Sequence, residues 1–146
     1  MIEIRDFVLQ DIERIMEIES VTFKAPWKRD EMLYEFNENK FAHLAVITVD
    51  NYIVGFYDYW VTFDSATIAQ IAIDPRYQRQ HLASSLMEEL LKDAKAKKVR
   101  TITLEVRKNN EKAVNLYQKY GFKTSLIKDK YYSNGDDALY MTKELD

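Results

Sequence analysis

The segment Thr67–Val106, TIAQIAIDPRYQRQHLASSLMEELLKDAKAKKVRTITLEV, decides the fold. It opens on a nearly continuous apolar run, Thr67–Ile73, whose weak alternation predicts a strand covered on both faces. Asp74–Pro75 closes that run, because proline supplies no backbone donor and aspartate favours a turn. From Leu82 to Lys97 the period becomes helical: Leu82, Leu86, Leu90 and Ala94 recur every four residues beside Ala83, Met87 and Leu91, giving a wide apolar stripe. Lys92, Lys95, Lys97 and Lys98 crowd its end, where cations complement the negative pole of a helix. The chain then alternates, with Ile102, Leu104 and Val106 on one face and Thr101, Thr103 and Glu105 on the other. Strand, helix and strand in that order predict a parallel pair joined by a right-handed crossover.

Working outward, Ile2, Ile4 and Asp6 read as a short strand, and Ile12, Ile15, Met16 and Ile18 recur at helical spacing. Pro26 should end that helix, with Trp27 opening a second one through Tyr34 and Phe36. Phe41–Val49 and Tyr52–Phe63 are rich in β formers and are separated by the turn signal Asp50–Asn51. Downstream, Asn110 is the expected N-cap of a helix carrying Ala113, Val114, Leu116, Tyr117 and Tyr120, which Gly121 stops. Two last strands, Phe122–Lys128 and Ala138–Lys143, bracket the turn cluster Ser133–Asp136. The order βααβββαβαββ predicts one α/β domain over residues 1–146, a mixed sheet of seven strands with four helices on both faces.

Composition removes whole classes of function. With only three glycines in 146 residues, neither a Walker loop nor a GxGxxG fingerprint exists here. The absence of cysteine excludes disulfides, thiolate metal sites and a cysteine nucleophile. His43 and His81 lie far apart in sequence, so no metal is expected. A net charge of −3 is opposite to the footprint of a nucleic-acid binder. No apolar run reaches the roughly 18 residues of a membrane span, and the first residues do not form a signal peptide; the expected location is the cytoplasm. An anion site is expected where Gln78–Ser84 opens the long helix, because the first N–H groups of a helix lack partners. Arg76 and Arg79 add positive charge there.

The run Ile71-Ala72-Ile73-Asp74-Pro75-Arg76-Tyr77-Gln78-Arg79-Gln80-His81-Leu82-Ala83, then Leu104-Glu105-Val106-Arg107 with Asn110, then Leu116-Tyr117-Gln118-Lys119-Tyr120-Gly121-Phe122, closely resembles the GNAT superfamily of N-acetyltransferases. Within it the chain is similar to the RimI group, which acetylates the N-terminal α-amine of ribosomal protein S18. The resemblance covers essentially the whole chain and implies the GNAT fold, acetyl-CoA as co-substrate, and direct attack of the acceptor amine on the thioester without an acetyl-enzyme. Rival readings are a GNAT enzyme for a small-molecule amine or a lysine, and a non-catalytic acetyl-CoA-binding module.

Residue by residue, the resemblance implies Glu105 as general base and Tyr117 as general acid toward the leaving thiolate. It assigns the backbone of Ile71, Ala72 and Ile73 to the pantetheine and acetyl group, and Arg79, Gln80, His81, Leu82, Ala83 and Ser84 to the pyrophosphate. Asn110 is expected to cap its helix and to contact the co-substrate. Phe23, Pro26 and Trp27, with Tyr131 and Tyr132, correspond to the two loops that bracket the acceptor peptide. One residue departs from the pattern: His81 stands where the family has glycine. Two readings follow. If the position only supplies a main-chain N–H from helical backbone, a side chain costs little; if it needs a positive φ, strain of about 1–3 kcal/mol follows. The helical appearance of the segment after Gln80 favours the first.

Overall fold

In the computed structural model, which describes residues 1–78 and 81–145, the alternating segments form one seven-stranded sheet. Its strands are β1 (Ile2–Asp6), β2 (Ala42–Val49), β3 (Tyr52–Thr62), β4 (Ser65–Ile73), β5 (Thr101–Arg107), β6 (Lys123–Lys128) and β7 (Ala138–Glu144). The helices are α1 (Ile12–Thr22), α2 (Arg29–Asn37), α3 (Leu82–Ala96) and α4 (Glu111–Lys119). Spatial order is β1-β2-β3-β4-β5-β7-β6, with β4 and β5 parallel and every other pair antiparallel. The element order is the one the sequence predicts, but α2 begins at Arg29 rather than Trp27. Its first turn is fixed by Glu31, whose carboxylate accepts the Lys28 N–H at 2.9 Å. Asn110 caps α4 through the Ala113 N–H, and Gly121 stops it with a φ of 91°. Among the described residues no helix is long and apolar enough to cross a membrane.

Two cores lie on opposite faces of the sheet. On one, Leu82, Leu86 and Leu90 of α3 and Tyr117 of α4 pack on Ile68, Ile102 and Leu104. On the other, Ile12, Ile15 and Ile18 of α1 and Met32 of α2 pack on Val46, Phe56 and Ala72. Strand β4 serves both, which is why its sequence lacks a clean alternation. The switch is a bulge: Asp58 pairs with Gln70 and Tyr59 with Ile68, so Ala69 is one residue too many. Before it Ala66 and Ile68 face α3; after it Gln70 and Ala72 face α1. At the same point the parallel ladder ends, its last pair being Ile68 with Leu104. Beyond that pair β4 runs five residues to Ile73 and β5 three to Arg107 with no ladder between them.

Behind the bulge lies a buried polar cluster. Glu19 of α1 is fully buried, and its Oε1 accepts the Trp27 N–H and the Gln70 Nε2, both at 2.8 Å. These two bonds tie the turn after α1 to the bulged strand, and burial pushes the Glu19 carboxyl up. Glu35 accepts the Trp60 Nε1 at 2.6 Å and the Asn39 Nδ2 at 3.0 Å. Asp58 is fully buried beside it, and among the described residues neither of its oxygens has a hydrogen-bond partner. Burial, together with the Glu35 carboxylate, pushes Asp58 from its ordinary 3.8 up to about 9.

Native Asp58 therefore keeps a proton that the unfolded chain releases, and its contribution to stability is lost as pH rises from about 4 to about 9. Asp58→Asn, which cannot ionise, should raise the urea midpoint at pH 8 more than at pH 5. An equal change at both values contradicts the assignment.

Candidate active site

The gap left by the parallel ladder is a cleft of about 560 Å³. Its floor is Ile68–Ile71 on one side and Leu104–Arg107 on the other, and Asn110, Ala113 and Tyr117 wall it from α4. Alternation on β5 puts Leu104 and Val106 in the buried set and leaves Glu105 exposed. Glu105 lines the cleft, and its Oε1 accepts a hydrogen bond from Lys128 Nζ at 2.9 Å. Tyr117 reaches the same cleft from α4, edge-on to Phe122 with ring centroids 5.8 Å apart. It is only 7% exposed, and burial pushes its phenol well above the ordinary 10, so it holds its proton at neutral pH. The structure thus brings the two expected acid–base residues to one cavity from separate elements.

A second cavity, of about 540 Å³, adjoins the first and shares Phe23, Ile71, Asn110 and Tyr117 with it. Ile71, Ala72 and Ile73 line it, as do Ala83 and Ser84 of the first turn of α3. Lys112 and Lys119 of α4 face them, donating to Gln78 Oε1 and Ser84 Oγ, each at 3.3 Å. The cavity therefore offers a strand edge without a ladder partner, which suits a ligand with amides, and a helix start flanked by two ammonium groups, which suits phosphates. Leu82 does not face this cavity, for its side chain is fully buried in the α3 core. Arg79 and Gln80 lie outside the described residues.

His81 corrects an expectation. It sits at the N-cap of α3 with φ 58° and ψ 22°, in left-handed rather than helical backbone. Glycine reaches that torsion freely, and histidine is among the side chains that tolerate it best. Its side chain is exposed and makes no capping bond.

The five residues expected around the acceptor separate. Phe23 and Tyr132 line the cleft, together with Lys24 and Ala25. Pro26, Trp27 and Tyr131 are not part of its wall. Trp27 instead lines another cavity, of about 380 Å³, with Tyr34, Glu35 and Trp60. The reason is the buried Glu19, which holds the Trp27 N–H and draws the turn inward behind the bulge. Tyr131 stands edge-on to Tyr132, 5.2 Å between centroids.

Four residues in or beside the cleft make contacts that the sequence reading missed. Arg107 lies over the Tyr132 ring at 3.9 Å and bonds Asp136 at 3.0 Å, and Lys24 reaches the same carboxylate at 3.3 Å. That tie joins the turn after α1 to the β6–β7 loop. Asn134, Lys24 and Arg107 together hold Asp136 below the usual carboxylate range. Gln70 and Lys128 complete the set; a lone amide in an otherwise apolar strand was a visible signal for the first, while nothing marked the second.

Residues 12–122 match the family model described as the acetyltransferase (GNAT) family. A Bacillus subtilis (strain 168) protein, provisionally named a ribosomal protein bS18-alanine N-acetyltransferase, is 39% identical over 139 residues, covering 94% of this chain and 92% of that one. The Escherichia coli (strain K12) ribosomal protein bS18-alanine N-acetyltransferase is 33% identical over 134 residues, covering 90% of this chain and 89% of its own. A crystal structure of the Escherichia coli ribosomal-protein-S18-alanine N-acetyltransferase superimposes with a TM-score of 0.92 at 30% identity, covering 100% of this chain and 95% of that one. With this fold, the paired cavities and those relatives, the chain belongs to the GNAT family and is an N-acetyltransferase that uses acetyl-CoA.

Proposed function

We propose that the chain transfers an acetyl group to the N-terminal α-amine of a protein, with ribosomal protein S18 as the acceptor. The observation that carries this reading is the placement of Glu105 and Tyr117 in one cleft whose mouth is rimmed by two loops, residues 23–25 and the β6–β7 loop. The names of the relatives support the choice of acceptor.

Acetyl-CoA would lie along Ile71–Ile73 with its phosphates toward His81, Ala83, Ser84, Lys112 and Lys119, and it supplies an acetyl group activated as a thioester. The acceptor enters from the other cavity, past Phe23 and Tyr132. An α-amine with an ordinary pKa near 7.7–8.0 is partly neutral at physiological pH, whereas a lysine near 10.4 is not. A carboxylate acting through water can therefore take the remaining proton, and Glu105 is exposed enough to reach water. The amine nitrogen forms a bond to the acetyl carbon as the carbon–sulfur bond breaks. Tyr117, buried and protonated, gives its proton to the departing sulfur and recovers one afterwards from the proton released by the amine.

Incubation of recombinant S18 with acetyl-CoA should add one acetyl group to its first residue, read by mass spectrometry of the N-terminal peptide. Acetylation confined to lysine side chains or to polyamines in a parallel panel replaces this acceptor. Glu105→Gln and Tyr117→Phe should each lower turnover by roughly 10²–10⁴ with thermal stability retained. Wild-type turnover in either variant removes that residue from the mechanism. At the helix start, His81→Val should weaken acetyl-CoA binding by calorimetry, since a β-branched side chain resists left-handed backbone, while His81→Gly should not. Equal affinity in wild type and the valine variant separates that torsion from binding.

A further inference from the structure

The Glu105 carboxylate at the cleft already holds a cation. Lys128 is the last residue of β6, an edge strand that pairs only with β7. Its side chain lies across β7 to reach Glu105 on β5, with Nζ 2.9 Å from Oε1. The same ammonium stands 4.7 Å from the Tyr131 ring centroid and 5.6 Å from that of Tyr140, the residue paired with Glu105 across the strands. One carboxylate and two aromatic faces form a box suited to an ammonium group. The Glu105 carboxylate holds Lys128 above its ordinary range, so the lysine stays charged wherever the enzyme would work. The two cations that line the cleft, Lys24 and Arg107, are engaged by Asp136.

In its protonated form the acceptor α-amine is also an ammonium, and the proposed reaction brings it toward the same carboxylate. Ammonium and lysine compete for one partner. Both Lys128 and Glu105 side chains are about one-third exposed, at 31% and 33%, so water shares the pair and exchange does not require a buried charge to be stranded. A four-carbon stem on an edge strand can swing into solvent without disturbing a core.

We propose that Lys128 is a positioning residue which occupies the acceptor ammonium's place at Glu105, keeps the carboxylate turned toward that place, and is displaced when the acceptor binds. Lys128 thereby sets how tightly the acceptor is held. The proposal rests on the reading of Glu105 as the base and deepens it.

The test is steady-state kinetics at low ionic strength with a peptide carrying the S18 N-terminus. Lys128→Met should lower the acceptor KM at least threefold, with a larger change in KM than in kcat, and Lys128→Gln should do the same. Lys128→Arg, which keeps a cation at the carboxylate, should retain the wild-type KM. In a Glu105→Gln background, adding Lys128→Met should no longer tighten the peptide, measured calorimetrically with CoA present. An unchanged or raised KM in both neutral variants overturns the proposal. Slowed turnover in Glu105→Gln alongside that result removes the role of Lys128 alone, whereas wild-type turnover in Glu105→Gln removes the base itself.

Discussion

The parallel ladder between β4 and β5 ends at Ile68 and Leu104, and the candidate active site occupies what it leaves open. Two central strands of a sheet normally satisfy one another along their length; here the pairing stops where Ala69 bulges against β3. The bulge turns Gln70 to the α1 face and leaves the far part of β4 without a ladder partner on the β5 side. One inserted residue thus accounts for a strand edge, a cleft and the handing over of β4 from one core to the other. The polar cluster behind it holds the arrangement. Glu19 bonds both Gln70 and the turn that follows α1, so the bulge and that turn are fixed to a single carboxylate.

The arrangement of charge follows from the same gap. Tyr117 is a buried phenol with its proton retained, and Glu105 is a partly hydrated carboxylate; they reach one cavity from α4 and β5. The different environments suit the opposite tasks proposed for them, an apolar wall for a group that stays neutral and a wet face for one that exchanges protons with water. Lysines gather where phosphate would lie, and the acceptor side is crossed by ion pairs that link loops distant in sequence.

Much of this was legible in the sequence. Ile102, Leu104 and Val106 fixed the face of β5, and therefore that of Glu105; the stripe of α3 and the cap at Asn110 located the helices. What could not be read was any feature created by contact between distant segments. The apolar run of β4 announced burial on both faces, but its register change depends on Asp58 and Tyr59 of the neighbouring strand. Trp27 had the composition of an acceptor wall, yet its direction is set by Glu19, eight residues earlier and buried. Lys128 carried no pattern, because its meaning comes from crossing a strand that is ten residues away in the chain. The arrangement of β4, β5 and α4 was therefore visible in local periodicity, and the loops, which are positioned by long-range polar bonds, were not.

His81 bears on how such sites are recognised. A phosphate-binding loop is commonly described by its letters, with glycine at the position before the helix. In this chain a histidine stands there, in left-handed backbone with φ 58°. Left-handed backbone at the start of a helix is a matter of torsion, and any residue able to hold that angle can occupy the position. Families of this kind are thus better delimited by torsion than by spelling, and a chain that fails the pattern by one glycine need not have lost the ligand.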